Sequence, residues 1–476
     1  MRATGGHQSP RLPRHQKVGY GTVELGITAI EFFLQFYLLK FYVDVVGLEA
    51  DVAGLALALA LIWDAVTDPL MGTISDQTRS RLGRRLLYVL AGAPILGASF
   101  VLLFSPPALD TQAAKFWFLL ISYMLVNTGM TIVAVPHAAL GGELSSNIDE
   151  RTEIFGWRFL FTNFGLVIGI VLPGLVARGA GVEGGHVVTS ATSASYYVAA
   201  LIVVGALVTF WATRRLDRPS GEARVTMRSY LKALGQTVTN RPFIVLVITY
   251  VLGSIGRAIN SAVALFYYEY RLGLPEDQVL QYVLLPFGLL IAASVGFWWW
   301  LSNRYGKKMP AFWGIFTLGV ATSLLYPILP KHDFTGPVLF AFGGGILVGA
   351  IFLLDSTVAD VVDYDEVHTG SHREGMYFGF WRLSTKLARA LGLAFAGKTL
   401  DLVGFNSHQA TQSADTEWGL ALIFGPGVGV FLTLGALVYL LMPLNRARVL
   451  RIRRILDMRA AKALRRSRAQ ADADRE

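Results

Sequence analysis

Runs of about twenty apolar residues recur along the chain, separated by short polar turns. Twenty helical residues cross the hydrocarbon of a bilayer, and a helix satisfies its own backbone amides there. The pattern predicts an all-α polytopic membrane protein. Twelve spans are predicted, near 20–43, 51–74, 86–104, 114–140, 154–177, 195–213, 242–270, 278–301, 309–329, 336–361, 375–400 and 417–443. Composition agrees: 53% of residues are hydrophobic and 16% charged, where soluble domains are about a quarter charged. The absence of cysteine excludes disulfides, thiol catalysis and cysteine-based zinc sites.

The net charge of +9 follows a positive-inside bias and not a nucleic-acid surface, since no soluble binding module is present. The bias predicts both termini in the cytoplasm of a multi-pass cell-membrane protein of the bacterial inner-membrane type. Residues 1–19 are polar and basic, so the first span is expected to serve as an uncleaved insertion signal. The basic stretch 214–241 divides an N-terminal six-helix half, 1–213, from a C-terminal one, 242–443, and 444–476 form a basic tail. Two turns suggest a repeat of the halves: Arg81-Leu82-Gly83-Arg84-Arg85 after span two and Arg304-Tyr305-Gly306-Lys307-Lys308 after span eight.

Charges inside spans are the functional signal. Span two carries Asp64 and Asp68, four residues apart and so on one helix face. Each costs about 2.5–3.5 kcal/mol at membrane depth, so the pair is expected to face a cavity, an ion or a positive partner. Span one repeats Tyr20, Glu24, Thr28, Glu31 and Gln35 at helical spacing, a candidate cavity wall. Lys40 near its outer end reads as a snorkelling lysine. Span four has Asn127, Thr128 and Thr131 before Pro136, where a proline frees a backbone carbonyl. His137 reads as structural. Arg158 opens span five, either snorkelling or pointing inward, and Arg257 with Ser254 and Ser261 lies deep in span seven. Arg382, Lys386 and Arg389 share a face of span eleven, the natural electrostatic answer to span two. His368 and His372 are a weak metal motif in a poor cage. No nucleotide-binding loop, nucleophile elbow or metalloprotease motif is present, so neither a cofactor nor an enzymatic activity is expected.

Three stretches together resemble the glycoside–pentoside–hexuronide:cation symporters, the melibiose permease-like branch of the major facilitator superfamily. They are Tyr42-Val43-Asp44-Val45-Val46-Gly47, Trp63-Asp64-Ala65-Val66-Thr67-Asp68-Pro69 through Arg79-Ser80-Arg81-Leu82-Gly83-Arg84, and Ala359-Asp360-Val361-Val362-Asp363-Tyr364 with Arg373-Glu374. The resemblance implies a major facilitator fold and a cation site at Asp64, Asp68 and Thr131, with Lys386 near those carboxylates. It sets Arg158 at the family's span-five arginine. Glu24, Thr28, Glu31, Asn127, Arg158 and Lys386 are the expected solute-binding residues; Asp76, Arg84, Asp360, Asp363, Arg373 and Arg382 are those expected to gate or couple. Three positions depart: Thr28 and Ala134 stand where the melibiose permease branch carries aspartates, and Ala138 where it carries tryptophan.

The expected function is secondary transport of a small polar solute, a sugar or glycoside, in symport with H+ or Na+. With Ala134 in place of a carboxylate the site has few hard ligands, which leans the ion toward the proton. Lys386 and the ion are expected to alternate as counter-charges. A transporter of lysolipid-like solutes and a transport-dead sensor or scaffold are the alternatives. The expected partners are the solute, the ion and the lipid bilayer; the chain is expected to act as a monomer.

Overall fold

The computed structural model describes residues 12–78, 80–145, 148–179, 187–214, 216, 240–370, 374–407, 409, 411–456 and 458–459. Those residues are helical apart from their turns. The 214–241 linker lies almost wholly outside them, as do Arg373, the Asp76 side chain, His372 and the end of the basic tail.

The chain forms two compact units. Unit one contains α1 (Arg14–Lys40), α2 (Ala50–Gln77), α3 (Leu86–Leu103), α4 (Gln112–Glu143), α5 (Ile148–Gly179) and α6 (Ala191–Thr213), together with the segment Pro275–Gln281. Unit two contains α7 (Arg241–Phe266), α8 (Leu285–Tyr305), α9 (Lys308–Leu325), α10 (Thr335–Val348), α11 (Phe352–Thr369), α12 (Glu374–Leu402), α13 (Ala414–Leu422) and α14 (Val428–Tyr439). A one-turn break, Gly349–Ile351, joins α10 to α11 as one span, and the Ile423–Gly427 turn around Pro426 joins α13 to α14. Eleven helices among the described residues are long and apolar enough to cross a membrane. The helix of the remaining predicted span, α12, is 29 residues long but carries Arg382, Lys386 and Arg389.

Each unit packs by the same rule. In unit one α1 packs on α5 and α6, α3 on α4 and α6, and α2 on α4; in unit two α7 packs on α12 and α14, α9 on α10 and α14, and α8 on α10. The first helices share their ends as well. A wide turn, Phe41–Val45, follows α1, and Tyr267–Arg271 follows α7. Val46 N–H donates to Phe41 O at 3.1 Å and Leu48 N–H to Tyr42 O at 2.9 Å; Leu272 N–H donates to Tyr267 O at 3.1 Å and Leu274 N–H to Tyr268 O at 2.9 Å. Gly47 and Gly273 follow at φ 69° and 66°, a left-handed conformation that a Cβ disfavours. The repeat is therefore far deeper than the two basic turns that hint at it in the sequence.

Small residues set the helix spacing in unit one. A Cβ on Gly165 of α5 would lie 2.5 Å from Leu25 O and 2.9 Å from Thr28 Cβ. One on Gly26 would lie 2.6 Å from Ile202 Cα of α6. Such close approach is how helices associate where lipid supplies no hydrophobic drive.

Candidate functional site

The span-two carboxylates meet Thr131. Its hydroxyl oxygen lies 2.9 Å from Asp64 Oδ1 and 2.8 Å from Asp68 Oδ1. One hydroxyl has one proton to donate, so it bonds one carboxylate at a time while the three oxygens stay clustered. Pro69 inside α2 and Pro136 inside α4 deprive the carbonyls of Ala65 and Ile132 of their helical donors. Asn127, one turn before Thr131, donates to Ala60 O at 3.4 Å, one turn before Asp64. Trp63 Nε1 donates to Thr128 Oγ1 at 3.0 Å. These contacts fix the register of α2 on α4 and so bring Asp64, Asp68 and Thr131 together. No group of three or more His, Cys, Asp or Glu residues able to hold a metal ion occurs among the described residues. The cluster brings together two carboxylates and a hydroxyl, oxygen donors of the kind a small hard cation prefers.

The span-one stripe divides. Glu24 is buried in an ionic cluster: Arg158 Nη2 donates to its Oε1 at 2.9 Å, and His137 Nδ1 lies 3.2 Å from its Oε2. His137 also stacks on Tyr20 at 4.4 Å and reaches Tyr20 O at 2.9 Å. Thr28 is 2% exposed and faces Gly165 of α5, whereas Glu31 is exposed and within electrostatic reach of Arg158. Arg158 therefore points inward, a question the sequence leaves open, and His137 faces the Glu24 carboxylate as well as stacking on Tyr20. Polar spacing on α1 finds Glu24; nothing local in the sequence marks His137 as its neighbour.

Three of the residues expected to gate or couple, Arg84, Asp360 and Asp363, belong to ionic clusters at the basic turns. In unit one, Glu143 at the end of α4 takes Arg84 at 2.6 Å and Arg85 at 2.8 Å. In unit two, Asp360 on α11 takes Lys307 at 2.7 Å and Arg453 at 3.1 Å, and Arg453 Nε lies 3.8 Å from Asp363. Each short basic turn is thus latched to a carboxylate on an α2- or α8-packed span. Sequence reasoning misses Glu143, whose only signal is its place at the end of span four. Arg453 belongs to a helix over 446–456, and Arg446 donates to Arg304 O, so the start of the basic tail folds onto unit two. Arg382 and Lys386 lie on α12 of unit two, Arg382 exposed and Lys386 half-buried.

Lys40 corrects the snorkelling expectation. It is 2% exposed, bonded to Asp44 and 3.2 Å from Glu276, whose other oxygen accepts from Val188 N–H at 3.2 Å. This is how Pro275–Gln281 joins unit one.

Comparison with known proteins agrees with the geometry. Residues 19–446 match the family described as MFS/sugar transport protein. The putative glycoside/cation symporter YagG of Escherichia coli is 29% identical, the alignment covering 95% of this chain and 96% of YagG. The sodium-dependent lysophosphatidylcholine symporter 1-B of Danio rerio is 26% identical over 92% of this chain and 88% of its own length. Among solved structures, a bacterial homologue of the human lysosomal transporter Spinster superposes with a TM-score of 0.68 at 13% identity, covering 90% of this chain and 97% of that one. The chain belongs to the MFS/sugar transport protein family of the major facilitator superfamily, and the glycoside–pentoside–hexuronide:cation symporters are the branch it fits.

Proposed function

We propose that the protein is a cation-coupled symporter of a sugar or glycoside, working by alternating access and carrying out no covalent chemistry. The observation that carries this reading is the convergence of Asp64, Asp68 and Thr131 on one point within 3 Å of the threonine hydroxyl. We propose sodium as the ion. A proton needs only one carboxylate, whereas two carboxylates and a hydroxyl cluster here. The Danio rerio relative, a sodium-dependent symporter, supports the same choice. Glu31 and Arg158, with Glu24 holding Arg158 in place, are the proposed solute contacts in unit one; Thr28 is assigned to packing. Coupling arises because ion and solute each favour the same state. The proposed location is a cell membrane, with both termini cytoplasmic.

The test is uptake of labelled sugars and glycosides into proteoliposomes under an imposed sodium gradient, and separately under a proton gradient. Accumulation driven by sodium and abolished by Asp68→Asn is expected. Accumulation by Asp68→Asn equal to wild type would remove the ion assignment.

A second reading, transport of a lysolipid-like solute, draws on the lysophosphatidylcholine relative and on an apolar groove of about 450 Å³ in unit two, lined by Trp298, Met309 and Trp313. Lipid chains fill such grooves on any membrane protein, so this reading stays second. Sodium-driven uptake of lysophosphatidylcholine that sugars do not inhibit would promote it.

A further inference from the structure

The repeat of α1 in α7 identifies a second polar stripe. When the wide turns are aligned, Phe41 on Tyr267 and Gly47 on Gly273, Glu24 falls on Tyr250, Thr28 on Ser254 and Glu31 on Arg257. The register that carries the candidate solute residues in unit one thus carries an aromatic ring, a hydroxyl and a guanidinium in unit two.

The surroundings of Arg257 are built. Its Nη2 donates to Ser254 Oγ at 2.8 Å, and its guanidinium lies 5.2 Å from the centre of the Tyr250 ring. Tyr250 packs on Trp381 of α12 with ring centres 4.0 Å apart. The Trp381 indole N–H donates to Asp355 Oδ1 of α11 at 2.9 Å. Tyr250 and Trp381 are buried, Arg257 is half-buried and Asp355 is exposed. Three helices of one unit therefore fix a cation and an anion through two rings.

The two charges do not pair. They are within electrostatic reach of each other, yet no nitrogen–oxygen distance between them falls within 4.0 Å. Arg257 Nε is buried and has no hydrogen-bond partner among the described residues. A purely structural pair at membrane depth would close that gap, because the alternative is two charges each lacking its opposite. A gap held open between a fixed donor and a fixed acceptor is what a solute group fills when it both accepts and donates.

We propose that Arg257 and Asp355 form a solute subsite in unit two that takes the neighbouring hydroxyls of a neutral sugar, one accepting from the guanidinium and one donating to the carboxylate. Trp381 is a positioning residue that aims Asp355. The equal and opposite charges match a neutral polyol. The subsite rests on the carbohydrate reading proposed above.

The test uses purified full-length protein and a set of 4-nitrophenyl glycosides, with lysophosphatidylcholine as the contrasting probe and binding measured by calorimetry. Arg257→Gln and Asp355→Asn are each expected to weaken glycoside binding about tenfold, the loss of one charge-assisted hydrogen bond. The double variant should lose less than the product of the single effects, because both residues hold one solute. Trp381→Phe, which keeps the ring and both charges, should weaken binding by a smaller factor and carries the test if either charge variant fails to fold. The chain has no cysteine, so Asp355→Cys gives a single thiol for a water-soluble thiosulfonate, and a bound glycoside should slow its labelling. Wild-type affinity in Arg257→Gln, Asp355→Asn and Trp381→Phe, or labelling that glycosides do not slow, would overturn the subsite alone. Wild-type protein that binds lysophosphatidylcholine and no glycoside would overturn the carbohydrate reading and the subsite with it.

Discussion

Thr131 Oγ1 on α4 lies 2.8 Å from Asp68 Oδ1 on α2, and that one contact converts a pair of membrane-depth aspartates into an oxygen cluster. Thr131→Ala removes the hydroxyl and leaves both carboxylates. The expected result is an approximately tenfold weaker sodium affinity, the worth of one hydrogen-bonding group to a charged centre. Thr131→Ser should retain most of it. Sodium titration of the protein's thermal unfolding reads both, and an unchanged titration in Thr131→Ala would place the ion elsewhere.

Glu24 holds two cationic or polar groups, Arg158 and His137, in a buried setting. Breaking a buried pair by removing one partner costs about 3–5 kcal/mol, a figure to be discounted here because Arg158 is 25% exposed. Glu24→Gln is therefore expected to lower the unfolding temperature markedly. Arg158→Gln should lower it less, since His137 still faces the carboxylate. The reverse order in thermal unfolding would mean that Arg158 has its main partner elsewhere.

Asp360 anchors Lys307 and Arg453 at once. Asp360→Asn should release the helix over 446–456 and speed proteolysis at the tail arginines, with the rest of the chain intact. Lys307→Gln, which leaves Arg453 bonded to Asp360, should not. Equal cleavage rates in the two variants would show that the tail docks by other contacts.

Glu150, before the fifth span, feels burial, which pushes its pKa up, but Ser145, the Leu12 N–H and Lys17 outweigh that and hold it below its ordinary value of 4.5. A lowered carboxylate pKa stabilises the fold above the ordinary value, and the benefit disappears as pH falls through the folded value. Glu150→Gln should thus melt below wild type at neutral pH, and the two curves should converge under acid conditions below about pH 4.5. Parallel curves across that range would exclude a role for its ionisation.

Gly165 meets α1 backbone to backbone. An alanine there needs a shift of α5, because the nearest atom, Leu25 O at 2.5 Å, belongs to the main chain. Gly165→Ala should reduce the yield of folded protein, whereas alanine at Gly156, where a Cβ meets nothing within 4 Å, should not. Yield by fluorescence-detected size exclusion distinguishes them.

The sequence by itself determined the fold class and marked the charged residues from which the candidate site is argued. A bilayer demands apolar helices of fixed length, so spans are written in composition, and charges inside spans are costly enough that Asp64, Asp68, Glu24 and Arg257 declare themselves. Helical spacing put Asp64 with Asp68 on one face, and the resemblance supplied Thr131. What only the tertiary structure decided is which polar and charged groups meet across helices. His137 against Glu24, Glu143 against Arg84, Glu276 against Lys40 and Trp381 against Asp355 join residues far apart in the chain. Their pairing depends on the rotation of each helix about its axis and on the approach that residues such as Gly165 permit, and neither is encoded in spacing along a single helix. The span-one stripe shows the limit: one helix face proved to hold a buried ion pair at Glu24, a packed threonine at Thr28 and an exposed carboxylate at Glu31, because α5 covers part of that face and not the rest.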